Sequence, residues 1–237
     1  MQENYLYAAL DIFTLSIPLL RSFDRRVAYF KSFGSLFRSM LLVMLLFIPW
    51  DILFTAKGYW GFNPRYHLDL HLFGLPLEEW LFFIAVPFSC VFIYRVLNFF
   101  FPKDPPAFFA AALPKFLVWF PLGVAALNFG RWYTFSTFFL LGAAMAYLVY
   151  VLRVPWMARF LRAYAVILIP FLLVNGVLTG SFIEEEVVWY NDLMNLGRRI
   201  GTIPMEDAFY GMLLILLNVF FYERFEAQRL QSFRTDK

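Results

Sequence analysis

The chain has 237 residues, of which 62% are hydrophobic, 22% aromatic and only 16% charged, with a formal net charge of +3. Soluble domains carry roughly 25% charged residues, and a chain this small cannot hide so much apolar side chain behind its own surface. The composition excludes a water-soluble globular domain, the small charge implies no nucleic-acid partner, and the single Cys90 excludes an intrachain disulfide.

A membrane span needs about 20 mostly apolar residues. Seven candidates follow in chain order: Tyr5–Leu20, Leu36–Phe54, Leu77–Phe100, Phe116–Phe129, Phe135–Leu152, Leu161–Leu178 and Met205–Tyr222. The first and fourth are the shortest. The first lacks a basic leader and reads as a membrane helix, not a cleavable signal. Pro18, Pro49, Pro87, Pro121 and Pro170 fall in or near these spans, where neighbouring helices can satisfy the backbone groups that proline frees. Cys90 lies in an apolar run and reads as a small core residue.

Basic residues set the orientation. Arg21, Arg25, Arg26, Lys31 and Arg38 lie in or beside the first connection. Arg95, Lys103 and Lys115 belong to the third, Arg153, Arg159 and Arg162 to the fifth, and Arg224, Arg229, Arg234 and Lys237 to the tail. These are 15 of the 20 basic residues, so the positive-inside rule makes that side cytoplasmic, with the N-terminus outside and the C-terminus inside. The expected fold is an all-α polytopic bundle of about seven transmembrane helices. The Lys103–Pro106 stretch reads as a hinge. It divides a first half, residues 1–103, from a linking helix plus second half, residues 104–237.

A shift of 128 residues brings two loop-plus-helix segments into register: NPRYHLDLHLFGLPLEEWLFF from Asn63 and NDLMNLGRRIGTIPMEDAFYG from Asn191. Asn63 falls on Asn191, Pro76 on Pro204, Glu78 on Glu206 and Glu79 on Asp207, and a Trp precedes each Asn, as Trp60 and Trp189. The repeated helices are the third and seventh. An even separation predicts two parallel internal repeats about a pseudo-two-fold axis along the membrane normal.

Each repeat starts its helix with proline and two adjacent acids. Proline suits the first turn, and acid there complements the helix dipole. Capping accounts for one acid per helix. Neighbouring side chains point about 100° apart, so at least one acid of each pair faces the bundle interior. A carboxyl beside an apolar cavity has its charged form disfavoured and can serve as a general acid. Asp51 lies near the end of the second span on the same side, placed to orient a loop or hold a proton. Glu184, Glu185 and Glu186 read as a solvated loop face. His67, Asp69 and His71 have ligand-like spacing, but the second repeat has no matching histidine, and polar packing is the expectation, with no metal. There is no GxGxxG segment near the N-terminus and no P-loop. No aspartate cluster offers a magnesium–diphosphate site, and no lysine lies in the seventh span to hold a retinal.

These residues together resemble the integral-membrane lycopene cyclases: the heterodimer-type bacterial enzymes, their fused relatives, and the cyclase domain of fungal bifunctional carotenoid enzymes. The resemblance rests on GLPLEEWLFF (Gly74–Phe83), GTIPMEDAFYG (Gly201–Gly211), Ile48-Pro49-Trp50-Asp51, Leu178-Thr179-Gly180 and Val188-Trp189-Tyr190-Asn191. It covers nearly the whole chain, which looks like the fused form. It implies conversion of the linear ends of lycopene to β-rings, through γ-carotene to β-carotene. An acid protonates the terminal double bond, an internal alkene closes the ring, and a base removes a proton, with no net oxidation. Some relatives act on C50 carotenoids or on one end only. On this resemblance Glu78 and Glu206 are the general-acid candidates, and Glu79 and Asp207 tune them or accept the departing proton. Asn63 and Asn191 orient the acids, and Trp60 and Trp189 shape the cavity. The implied partners are lycopene or a related carotenoid and the lipid bilayer. No cofactor is expected, because the flavin-dependent cyclases belong to another fold. The sequence does not choose between a monomer and a homo-oligomer. A proton-coupled transporter is the rival reading, disfavoured because the acids cluster on one side of the membrane.

Overall fold

The computed structural model describes residues 3–235, with side chains through Ser232. Of the basic tail, the Arg234 side chain and Lys237 lie outside the described residues. Seven α-helices run in chain order: α1 (Leu6–Arg21), α2 (Phe33–Ala56), α3 (Leu77–Phe100), α4 (Leu113–Leu127), α5 (Trp132–Ala146), α6 (Met157–Leu178) and α7 (Met205–Thr235). Among the described residues, six helical segments are long and apolar enough to cross a membrane: Tyr29–Ala56, Leu77–Phe100, Phe108–Leu127, Trp132–Val151, Met157–Leu178 and Met205–Ser232. Helix α1, at 16 residues, is shorter. The fourth span starts earlier than its apolar run suggests, because a π-turn at Phe108–Ala112 leads into α4. The seventh helix continues beyond Tyr222 with charged residues, among them Glu223, whose carboxylate accepts the Tyr94 hydroxyl at 2.8 Å.

The prolines are accommodated as a membrane interior requires. Pro18 has no N–H and leaves the Thr14 carbonyl without its helical donor. The Ser89 hydroxyl of α3 supplies one at 2.8 Å, which ties α1 to α3.

The packing has the two-fold character that the repeat implies. Helix α1 lies on α3 as α5 lies on α7, while α2 crosses to α7 and α6 crosses to α3. Helix α4 packs on α5, close enough that a Cβ at Gly142 would sit 2.7 Å from the Leu122 side chain. Six short strands build the loops at one end of the bundle: β1 (Trp60–Phe62), β2 (His71–Leu72), β3 (Leu75–Pro76), β4 (Val188–Tyr190), β5 (Arg199–Ile200) and β6 (Ile203–Pro204). Strands β1 and β4 pair antiparallel, with Gly61 opposite Trp189. A shift of 128 residues carries Gly61 onto Trp189, so each repeat meets its own counterpart and the local axis passes between them. The hairpins β2–β3 and β5–β6 share this register, His71 opposite Pro76 and Arg199 opposite Pro204.

Candidate active site

The loops set where the acids point. Each hairpin delivers a proline directly to the start of α3 or α7, so the two acids that follow occupy the first helical turn. The first acid of each pair turns back to its own loop. The Glu78 carboxylate accepts the Leu68 N–H at 2.8 Å, and Glu206 accepts the Leu196 N–H at 2.7 Å and the Thr134 hydroxyl at 2.5 Å. The same loop carries other matched bonds. His67 Nδ1 accepts the Asp69 N–H at 3.1 Å, and Asn195 Oδ1 accepts the Gly197 N–H at 2.6 Å. Asp69 and Gly197 both adopt positive φ, 57° and 65°. Burial of His67 is thus explained by loop shape. One ligand atom from each of His67, Asp69 and His71 lies within 4.8 Å of the others.

Asn63 and Asn191 are also loop builders. Their Oδ1 atoms each accept a backbone N–H two residues on, at 3.1 Å. Their backbone N–H groups bind the Val187 and Tyr59 carbonyls at 2.8 and 2.9 Å. Neither reaches the acidic pairs. Trp189, 39% exposed, lies against Gly61. The Glu184–Glu186 run is exposed, and Arg65 joins it to Glu3, bonding Glu184 at 2.6 Å. The Arg65 guanidinium holds the Glu3 carboxyl below its usual value.

The second acid of each pair faces inward. Glu79 and Asp207, 8% and 5% exposed, border a narrow cavity of about 70 Å³ between the two halves, together with Asp51 at 1%. The three carboxyls are held differently. Glu79 accepts the Tyr7 hydroxyl from α1. Asp51 accepts Trp60 Nε1 at 2.6 Å and the Thr55 hydroxyl at 3.3 Å. Asp51 and Glu79 line the same cavity, and the second oxygen of Asp51 is buried without a hydrogen-bond partner among the described residues. Asp207 instead accepts three neutral donors: the Tyr133 hydroxyl at 2.5 Å, Asn175 Nδ2 at 2.8 Å and the Tyr190 hydroxyl at 3.0 Å. Such a shell suits a carboxylate. Burial and the Asp207 charge push the Tyr190 phenol up, so it stays a donor.

Aromatic faces close the cavity. The Trp60 ring centroid lies 5.0 Å from Tyr133, Tyr133 stacks on Tyr190 at 5.8 Å, and Tyr210 sits 5.0 Å from Trp50. Of the residues singled out in the sequence, Asp51, Trp60, Glu79 and Asp207 meet here. Glu78, Glu206, Asn63, Asn191 and Trp189 do not line this cavity. Sequence reasoning missed Tyr7, Tyr133, Asn175 and Tyr190. Tyr7 and Tyr133 play equivalent parts on α1 and α5, but they correspond by a shift other than 128 and so escape a search in that register.

The described residues thus form a polytopic helical membrane protein whose buried carboxyls converge on one aromatic-lined cavity. The chain is a member of the lycopene cyclase family, whose model, described as lycopene cyclase, matches residues 4–97 and 130–225. The matched stretches are the two repeats, and they leave out α4. Searches of the curated proteins and of the solved structures gave no match. Membership makes this chain an enzyme acting on lycopene at family level.

Proposed function

We propose that this protein closes β-rings at the linear ends of lycopene, giving γ-carotene and then β-carotene, as an isomerase with no net redox change. The observation that carries the reading is the meeting of Asp51, Glu79 and Asp207 with the aromatic rings of one mostly apolar cavity. A proton carried by Glu79, with Asp51 lining the same cavity, adds to the terminal double bond and leaves a tertiary cation. The internal alkene attacks that cation, forming the carbon–carbon bond of the six-membered ring and moving the charge into it. Loss of a ring proton to Asp207 restores a double bond. One proton enters, one leaves, and no electrons are exchanged, so the step requires no oxidant or reductant.

The surroundings suit each stage. Rings of Trp60, Tyr133 and Tyr210 offer faces for cation–π stabilisation, and Asp207 places negative charge beside the developing cation. Exclusion of water prevents its capture. Glu78 and Glu206 take a positioning part: they fasten the loops that deliver Glu79 and Asp207.

Expression in cells that accumulate lycopene, with the pigments separated by chromatography, tests the proposal. β-Carotene supports it, γ-carotene alone limits it to one end, and unchanged lycopene with the protein present in the membrane refutes it.

A further inference from the structure

A second internal space adjoins the acid cavity. It occupies about 310 Å³ between α1 and α6, with α3 as its floor. It shares Phe82, Val86, Cys90, Ile167, Phe171 and Asn175 with the acid cavity, so only these side chains stand between the two. Its lip is formed by Phe13, Ile17 and Leu173, exposed 64%, 61% and 68%. Leu173 lies on α6, which is long and apolar enough to cross a membrane, and α1 packs beside it, so these apolar side chains form a lip that faces the lipid side of the bundle. Three lining residues have polar side chains, Thr14, Ser89 and Asn175. The Ser89 hydroxyl is engaged by the Thr14 carbonyl and the Asn175 amide by Asp207. Pro18 and Pro170 stand on opposite walls.

The groove also has direction. Ile93 lies 14 positions after Glu79 on α3, which at 1.5 Å per residue is about 21 Å. The groove therefore leaves the acids at one end of the bundle and runs well into the roughly 30 Å hydrocarbon core. An apolar slot of that length, open sideways to lipid and closed at its inner end by acids, fits a long hydrocarbon chain whose tip is the reacting group.

Building on the cyclase reading, we infer that the α1–α6 groove is the lateral route of the carotenoid from the bilayer and holds its unreacted remainder while one end is cyclised. Ring closure at the two ends then takes two visits, with the molecule withdrawn and reinserted between them.

The test uses the full chain in membranes. Ile93→Trp and Ile17→Trp narrow the groove outside the acid cavity. Leu45→Trp, at a 66% exposed position on α2, is the control. Because Ile17 is exposed, its variant is expected to fold even if Ile93→Trp does not. Each is assayed with lycopene and with a short acyclic isoprenoid that carries the same terminal double bonds but ends inside the acid cavity. We expect both groove variants to cyclise lycopene about tenfold more slowly or worse, to keep near wild-type rates on the short substrate, and the control to keep both. Undiminished lycopene turnover in Ile17→Trp, or an equal loss on both substrates, overturns the proposal. A wild-type chain that leaves lycopene unchanged removes the cyclase reading, and the groove's assignment with it. An active wild type with active variants refutes the groove alone.

Discussion

The adjacent residues Glu78 and Glu79 should respond oppositely to the same conservative change. Glu79→Gln keeps the size of the side chain and an oxygen for the Tyr7 hydroxyl, but it removes the acid proposed to donate the proton. General acid catalysis is worth about 10²–10⁴ in rate, so turnover should fall by that factor, equivalent to about 3–5 kcal/mol of barrier. Glu78→Gln retains a carbonyl oxygen for the Leu68 N–H, which it now accepts at 2.8 Å, and turnover should fall less than tenfold, under about 1.4 kcal/mol. Glu78→Ala removes that acceptor. It leaves a half-buried N–H unpaired at a cost of about 1 kcal/mol, read as a lower thermal midpoint in detergent. The assay is conversion of lycopene in membranes normalised to the amount of folded protein. If Glu78→Gln is as inactive as Glu79→Gln, or if Glu79→Gln keeps most of its turnover, the division between loop-holding and proton-donating acids is wrong.

Two further predictions concern the loops. In Gly61→Ala the added Cβ would run into the Trp189 ring, so the ring or the β1–β4 ribbon must shift and the thermal midpoint should drop; adding Trp189→Ala should restore it, and an unaffected single variant would contradict the close approach. Burial, with His71 adding to it, holds the His67 imidazole below its usual value. The unfolded chain then takes up a proton that the folded loop resists, so stability present at higher pH is lost as the pH falls through about 6.5. His67→Asn, copying Asn195 of the second repeat, should flatten that dependence in midpoints taken across about pH 5–8.

Run length and spacing made much of the fold legible. Apolar stretches found the spanning helices, and the identical interval from Asn63 to Glu78 and from Asn191 to Glu206 found the repeat. Side-chain direction was less accessible. Helices α3 and α7 are apolar around most of their circumference, so no polar face fixes which acid of a pair points inward. That choice is made by the Leu68 and Leu196 N–H groups, which lie ten residues upstream of Glu78 and Glu206. The tyrosines were hidden for a different reason. Tyr7 reaches Glu79 across 72 residues and Tyr133 reaches Asp207 across 74, contacts created only when α1 folds onto α3 and α5 onto α7. Trp60 and Trp189 looked alike but stand one position apart in the repeat register. One binds Asp51, and the other covers Gly61.

The repeat is faithful where it builds loops and unfaithful where chemistry is needed. In the same register Asp51 falls on Thr179. Thr179 bonds the Asn175 carbonyl at 2.9 Å and meets the Thr202 hydroxyl at 2.8 Å, closing the end of α6 where Asp51 faces Glu79. The first half consequently brings two carboxyls to the cavity, Asp51 and Glu79, and the second brings one, Asp207, ringed by neutral donors. Ring closure through a cation needs both a donor and a counter-charge with a proton acceptor. Two identical half-sites would supply two donors or two anions. Divergence at the position shared by Asp51 and Thr179 lets one symmetric scaffold present unlike partners across a single cavity.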